Sequence, residues 1–333
     1  ATGASRTRRR STADLHDRPL AKQVRSGLVE TIHDGAVAVV APDGSLIAFH
    51  GDIDRPFFIR SSAKPFQATV SQEAGAELDA LEMALACASH RGYPVHVAMV
   101  ASMLARAGLD ESALQCPFDW PLGTRARHDL IRQGEPEMRR IWHNCSGKHA
   151  AFLRACVAAG WPIDSYLDPE HPLQQRVIEF VSELGDYPVQ PVGVDGCGAP
   201  VLRTTARVMA RLFARLSTSD RLGPAFGAMH QYPALVAANG EGDTGIAVAT
   251  HSAAKGGAAG CLGVATDRGY GLAVKSWDGS GSVANLAAVS ALQQLDALGP
   301  TARSALEIFL QPPVLGGGRP VGHLEPRFEL EFA

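Results

Sequence analysis

Apolar and polar residues recur along this chain in patterns that separate an early strand region from a long helical middle. The run "GAVAVVAPDGSLIAFHGD" contains two apolar stretches around a proline and Asp-Gly turn at 42–45, so it predicts an antiparallel hairpin. Apolar residues that return every three or four positions predict helices at about 65–107, 149–160, 173–184 and 201–216.

Strand-like apolar runs return near the end of the chain, as "GIAVAT", "CLGVAT" and "GLAVKSW". The next stretch, "VANLAAVSALQQLDALG", predicts a helix that stops at Gly299-Pro300. Strands at both chain ends with helices between them indicate an α+β fold, in which helices flank an antiparallel or mixed sheet. We expect a flexible N-terminal tail at 1–26 and a single catalytic domain at 27–333.

Composition and charge narrow the class of protein. The chain has 333 residues, of which 46% are hydrophobic and 20% charged, so it can bury a substantial core. Its 31 basic and 34 acidic residues are nearly balanced, which argues against a nucleic-acid or membrane partner and favours a small molecule. No run approaches the ~20 apolar residues of a membrane span. The cysteines are widely spread, which favours free thiols in a reducing cytoplasm.

The stretch "FIRSSAKPFQA" places a lysine three residues after a serine at a predicted helix start. Pro65 suits the first turn of a helix, and residues three apart share a helix face, so Ser61 and Lys64 can meet. A lysine is a poor base at its usual pKa of about 10.4, but burial or neighbouring cations lower that pKa enough to activate a serine. The alternative is a serine that caps the helix beside a solvated lysine.

Further polar clusters stand among glycines in otherwise apolar sequence. They occur in "CASHRG", "HNCSGKHAAFL", "GVDGCGAP" and "AAKGGAAG". Each alone can be structural, but together they indicate a site that binds and transforms a ligand. Their candidate residues are Ser89, Cys145, Lys148, His149, Asp195, Cys197 and Lys255.

The motifs "RSSAKP", "CASH", "NCSGKH", "DGCG" and "KGG", in this order, resemble the Rhizobium etli-type L-asparaginases. These belong to the asparaginase II family, which is distinct from the threonine-dependent bacterial and the plant-type enzymes. The resemblance implies hydrolysis of L-asparagine to L-aspartate and ammonia. It also implies a fold similar to serine β-lactamases and glutaminases, and a homodimer.

The resemblance also assigns roles to individual residues. It implies two serine–lysine pairs facing one substrate, a zinc site that is not necessarily essential, and no organic cofactor. Ser61 is our predicted nucleophile, because a helix start exposes its hydroxyl near an electropositive backbone. The implied residues are Ser61 with Lys64 and Ser89 with Lys255 for catalysis; Arg60, His149 and Asp195 for the substrate; and Cys145, Lys148 and Cys197 for zinc.

Two stretches depart from the family pattern, and three other functions remain open. Arg91-Gly92-Tyr93 follows "CASH", and "VAANGEGDT" replaces a more glycine-rich stretch, so substrate preference is the property most open to change. A β-lactamase-like acylase or peptidase would use the same Ser-x-x-Lys motif. A cysteine hydrolase would use Cys145 with His149. A zinc-stabilised binding protein would need the cysteines and not the serines.

Overall fold

The computed structural model of the chain describes residues 18–333, in which a nine-stranded sheet carries helices on both faces. The strand order is β11-β12-β1-β2-β10-β9-β8, with β3 beside β2 and β13 beside β3, and the pairings are antiparallel. The predicted α+β class is therefore confirmed. The strands are β1 (Pro19–Arg25), β2 (Leu28–Val40), β3 (Leu46–His50), β4 (Phe57–Phe58), β5 (Gly193–Val194), β6 (Pro200–Val201), β7 (Arg203–Thr204), β8 (Ala253–Gly257), β9 (Cys261–Ala265), β10 (Gly271–Ser276), β11 (Pro313–Gly316), β12 (Arg319–Pro326) and β13 (Glu331–Phe332).

Most helices lie in the middle of the chain, as the periodicity predicts. Two short strand pairs, β4 with β7 and β5 with β6, accompany them outside the main sheet. The helices are α1 (Lys64–Ser71), α2 (Ala80–Ala86), α3 (Pro94–Ala105), α4 (Thr124–Arg132), α5 (Ser146–Ala159), α6 (Pro172–Gly185), α7 (Ala206–Thr218), α8 (Gly223–Gln231), α9 (Pro233–Val236), α10 (Gly242–Thr250), α11 (Gly281–Gln294) and α12 (Pro300–Leu310).

The central strand β2 shows why the sheet is covered on both faces. Successive side chains of a strand point to opposite faces. Ala36 and Ala38 belong to the core on the α7 side, whereas Val37 and Val39 belong to the core that contains α11. Because both alternating sets are apolar, each face of β2 binds a helical layer. The active-site candidates lie on the α7 side, where α1, α2 and α5 also pack.

Three expectations about local structure are wrong. Residues 18–26 are not part of a tail, because β1 pairs with β2 and β12 inside the sheet; residues 1–17 lie outside the described part. "GIAVAT" lies in helix α10 and is not a strand, since a short apolar run fits either conformation. The predicted final helix ends at Gln294, and Gly299-Pro300 begins α12.

The helices are short compared with a bilayer. The longest helices in the described residues, such as α5 and α6, have 14 residues. Within 18–333, no helix is both long enough and apolar enough to cross a membrane.

Candidate active site

Ser61 lies in a 3₁₀ helix, Arg60–Ala63, that runs directly into α1 at Lys64. The Arg60 backbone has a φ of 53°, in the left-handed region that side chains other than glycine rarely adopt. Such a conformation costs about 1 to 3 kcal/mol and is most often found at functional sites. The predicted helix start is thus close to correct, but the two serines lie inside the 3₁₀ turn and do not cap α1.

The Lys64 side chain is buried, with 1% of its surface exposed. Its Nζ donates to the Ala88 carbonyl at 2.6 Å and lies 3.1 Å from Ser89 Oγ. Burial is the largest influence on this amine and lowers its pKa, because a charged amine loses its hydration there. Cys145 raises the pKa in part, whereas the positive charge of Lys255 lowers it further. The site therefore favours a neutral Lys64, which is the form a general base requires.

The hydrogen bonds do not follow the two expected serine–lysine pairs. Lys64 contacts Ser89, while Lys255 Nζ lies 3.4 Å from Asp243 Oδ2 and donates to the Gly256 carbonyl at 2.5 Å. Within residues 18–333, no hydrogen bond joins Lys64 to Ser61 or Lys255 to Ser89. The two lysines are nevertheless close enough for the positive charge of Lys255 to lower the pKa of Lys64.

Ser61 and its neighbour Ser62 have different environments. Ser62 is fully buried, and its hydroxyl donates to the Lys255 carbonyl at 2.9 Å. This bond fixes the 3₁₀ helix against strand β8. Ser61 is only partly buried. A partly exposed hydroxyl can reach a substrate, so Ser61 and not Ser62 has the position of a reactive serine.

Arg60 and Asp195, two predicted substrate residues, form an ion pair beside Ser61. Arg60 Nε donates to Asp195 Oδ1 at 2.7 Å, and the Gly196 amide donates to the same oxygen at 2.8 Å. The contact uses one nitrogen of the guanidinium and one oxygen of the carboxylate. Opposite charges are therefore available next to Ser61.

The three predicted zinc residues converge in one buried cluster. Lys148 Nζ donates to Cys197 Sγ at 3.1 Å, and the Cys145 thiol, which donates to Asn144 Oδ1 at 3.4 Å, lies beside this sulfur. The adjacent Cys145 thiol and the positive charge of Lys148 hold the pKa of Cys197 well below its usual value, so Cys197 is a thiolate. The adjacent Cys197 sulfur and burial raise the pKa of Cys145, which stays protonated.

His149 lies at the edge of this cluster and faces a tyrosine. Its Nδ1 is 2.8 Å from the Tyr166 hydroxyl, and the Cys197 sulfur lies beside the ring. Nε2 is buried and has no hydrogen-bond partner of normal geometry in the described residues. Burial lowers the pKa of His149, although Cys197 opposes this shift, so the ring is neutral.

Comparison with known proteins adds a family to this geometry. The sequence matches the L-asparaginase II family over residues 21–326. The chain belongs to this family. No curated protein matches it.

Solved structures similar to this L-asparaginase II chain include one of Mglu and one of a Bacillus glutaminase. A structure of Mglu in its glutamate form is 14% identical with a TM-score of 0.45; the match covers 79% of this chain and 61% of that one. A Bacillus glutaminase structure in 4.3 M NaCl is 12% identical with a TM-score of 0.44; the match covers 79% of this chain and 91% of that one. The chain thus spans less than two thirds of the Mglu structure, and likenesses at these TM-scores carry no argument about function.

Two features of this L-asparaginase II site were missed by sequence reasoning. Asp243, which contacts Lys255, lies in a stretch whose only signal was its departure from the family pattern. His90 Nε2 donates to Ser146 Oγ at 2.8 Å, because this hydroxyl itself donates to a carbonyl and His90 Nδ1 accepts from the Gly92 amide. Burial lowers the pKa of His90 well below its usual value, so this neutral ring joins the loop after Ser89 to helix α5.

Proposed function

We propose that this L-asparaginase II chain hydrolyses L-asparagine to L-aspartate and ammonia with a serine nucleophile and a neutral lysine base. The observation that carries the proposal is the buried Lys64 amine, 3.1 Å from Ser89 Oγ and three residues after Ser61. A buried lysine with neutral partners has no structural advantage over an apolar side chain, whereas amide hydrolysis requires a base of this kind.

The reaction begins with attack of Ser61 Oγ on the side-chain amide carbon of the substrate. The serine proton passes to Lys64 Nζ, which then donates it to the leaving nitrogen, so that ammonia departs and an ester remains on Ser61. Water next attacks the ester while Lys64 again accepts a proton, which it returns to Ser61 Oγ as L-aspartate is released. Ser89 connects to Lys64 by its hydrogen bond and relays protons, and the charge of Lys255 stabilises the anion that develops.

Arg60 and Asp195 give the proposed site its preference for a free amino acid. Arg60 binds the α-carboxylate and Asp195 the α-ammonium, since each keeps polar atoms outside the single contact between them. Holding both groups fixes the distance between Ser61 Oγ and the amide carbon of the substrate. The additional methylene of glutamine moves its amide away from Ser61, so we expect slower turnover of glutamine.

The cysteine–lysine cluster fits zinc by the chemistry of its donors. Two sulfurs and an amine converge, and thiolates are common zinc ligands. Within residues 18–333, however, no three His, Cys, Asp or Glu side chains are grouped to hold a metal, so Lys148 must be the third ligand. Zinc held by Cys145, Lys148 and Cys197 would supply a positive charge that orients the substrate. Lys148 and Cys145 would each lose a proton on holding zinc, because the ligating forms are the neutral amine and the thiolate.

The proposal is tested by ammonia release from a panel of amino-acid amides, with a chromogenic β-lactam as a parallel substrate. L-Asparagine should be the best substrate. A protein that opens the β-lactam and releases no ammonia from asparagine is instead a β-lactamase-like acylase. A chain that binds amides and turns over neither is a binding protein.

The zinc proposal is tested by metal analysis of protein prepared without chelator. One zinc per chain is expected, and calorimetry in buffers of different ionisation enthalpy should detect the released protons. Chelation that weakens substrate affinity more than turnover supports an orienting role. Zinc-reversible loss of all turnover would contradict that role and indicate metal-activated water. We also propose a homodimer in the cytoplasm, which sedimentation and cell fractionation can check.

A further inference from the structure

Residues 236–243, here called the 236–243 segment, contact both halves of the serine–lysine site. The Ser89 amide donates to the Val236 carbonyl at 3.0 Å. Two residues after Ser89, the Arg91 guanidinium forms an ion pair with the Glu241 carboxylate. The segment is therefore attached to the Ser89 loop at both of its ends. Both sequence stretches that depart from the family pattern take part in this contact.

The same segment also holds Lys255 through Asp243. Asp243 Oδ2 accepts from the Gly256 amide at 2.6 Å and lies 3.4 Å from Lys255 Nζ. A Cβ at Gly256 would lie 2.7 Å from Asp243 Oδ1, so only glycine allows this approach. One carboxylate thereby fixes both the backbone and the amine of strand β8 at Lys255.

Exposure shows that the two ion pairs differ in depth. The Glu241 side chain is 45% exposed and that of Arg91 is 19% exposed. The Asp243 side chain is 15% exposed and that of Lys255 only 1%. The Arg91–Glu241 pair thus lies near the protein surface, and the Asp243–Lys255 pair lies at the buried amine. The 236–243 segment thus extends from the partly exposed Glu241 to Asp243 beside Lys255.

Other contacts fix the segment to the body of the protein. A Cβ at Gly242 would lie 2.2 Å from the Asn285 side chain, so the backbone packs directly on α11. Thr244 Oγ1 accepts from the Ala238 amide at 3.3 Å and donates to the Pro233 carbonyl at 3.0 Å. These contacts connect the turn to α11 and to the Pro233 carbonyl.

We propose that the 236–243 segment is a clasp, which means that it fixes the position of Lys255 relative to Ser89. Glu241 and Asp243 are its positioning residues. The clasp rests on the proposed function, and it gives roles to Glu241 and Asp243, which the proposed mechanism does not use. Ser89 and Lys255 come from a loop and a strand far apart in sequence, and the clasp contacts both. A displacement of about 1 Å in such a site can lower turnover by about a hundredfold.

Steady-state kinetics of Asp243→Asn and Glu241→Gln test the clasp. Asp243→Asn keeps the shape of the side chain and an acceptor for the Gly256 amide, but it removes the negative charge beside Lys255. We therefore expect kcat to fall about tenfold to a hundredfold, with KM changed less than about threefold. Glu241→Gln should lower kcat several-fold, and Glu241→Asp should restore part of the loss. The matched control is Glu73→Gln, which removes a remote surface ion pair with Arg221 and should leave kcat and KM unchanged.

Hydrogen exchange provides a readout that does not need turnover. In Glu241→Gln the Ser89 amide should exchange faster than in wild type, because its acceptor on Val236 is no longer held. If both variants keep wild-type kcat, KM and exchange, the clasp is wrong. If wild type fails to hydrolyse asparagine, the proposed function is wrong, and exchange at Ser89 alone decides the clasp: faster exchange supports it, and unchanged exchange overturns it.

Discussion

The serine–lysine pocket and the neighbouring cysteine–lysine cluster each contain a lysine that is almost completely buried. Lys64 is 1% exposed and Lys148 is 2% exposed. The pKa of Lys64 is lowered, whereas that of Lys148 is raised. For both amines burial is the largest influence and disfavours the charge. In the cluster the negative charge of Cys197, its hydrogen bond with Lys148 and the nearby Cys145 and Asp195 together outweigh burial.

The difference shows that two lysines of similar burial can differ in charge when their partners differ. Lys64 hydrogen-bonds a carbonyl and the Ser89 hydroxyl, which are neutral groups. Lys148 donates to the thiolate of Cys197. The lowered pKa of Lys64 favours the neutral amine that can accept a proton, while Lys148 stays an ammonium until a metal displaces its proton. Adjacent sites of similar composition thus support different chemistry.

The largest effect should come from removing either member of the proposed catalytic pair. Ser61→Ala and Lys64→Met should each lower kcat by about a thousandfold or more, and the double variant should be little worse, because members of one catalytic unit are not additive. Ammonia release measured against far-UV circular dichroism separates lost chemistry from lost folding.

A trapped intermediate distinguishes Ser61 from Ser89. Rapid quenching with asparagine, followed by peptide mass analysis, should find the acyl group on Ser61. An adduct on Ser89, which directly contacts Lys64, would exchange the roles of the two serines. It would leave the lysine base in place.

The two lysines should respond in opposite ways to the same substitution. Lys148→Met leaves the Cys197 thiolate without its cation, so stability should fall by about 3 kcal/mol. Lys64→Met removes an amine that pays a desolvation penalty, so stability should stay equal or rise. Urea unfolding in the presence of chelator measures both. Equal losses for the two variants would contradict the comparison.

Activity should rise with pH through the lowered pKa of Lys64. The base must be neutral, so turnover is lost as pH falls below this pKa and the amine is protonated. Lys255→Gln removes a positive charge that lowers the pKa of Lys64, so the rising limb should move to higher pH. The measurement is the pH at which kcat/KM rises, and not the maximum value that kcat/KM reaches. A limb that stays in place would show that Lys64 does not titrate there.

The smallest effect is expected at Ser62. Ser62→Ala removes one buried hydrogen bond to the Lys255 carbonyl, which should cost about 1 kcal/mol of stability and change kcat only a few-fold. Thermal unfolding and kinetics together check this. A loss of turnover as large as that of Ser61→Ala would mean that the reactive hydroxyl is misassigned.

Local patterns in the sequence were sufficient for most elements, whereas the site residues that they name stay a prediction. The double apolar alternation of β2 and the helical periodicity of the middle region predicted their elements, because local side-chain spacing reflects the burial of each face. The Ser-x-x-Lys motif located Ser61 and Lys64 at a helix start. The predictions failed for a short apolar run that fits either a helix or a strand, as in α10. They also failed for a segment that becomes a strand by pairing within the sheet, as in β1.

The sequence by itself determined which residue types are available at the site: two serines, three lysines and two cysteines among glycines. Only the tertiary structure decided their partners. Lys64 contacts Ser89, and Lys255 contacts Asp243, although neither contact follows from spacing along the chain. The physical reason is that a local motif fixes neighbours within one turn, whereas the charge of a buried group depends on whatever distant segment the packing brings against it.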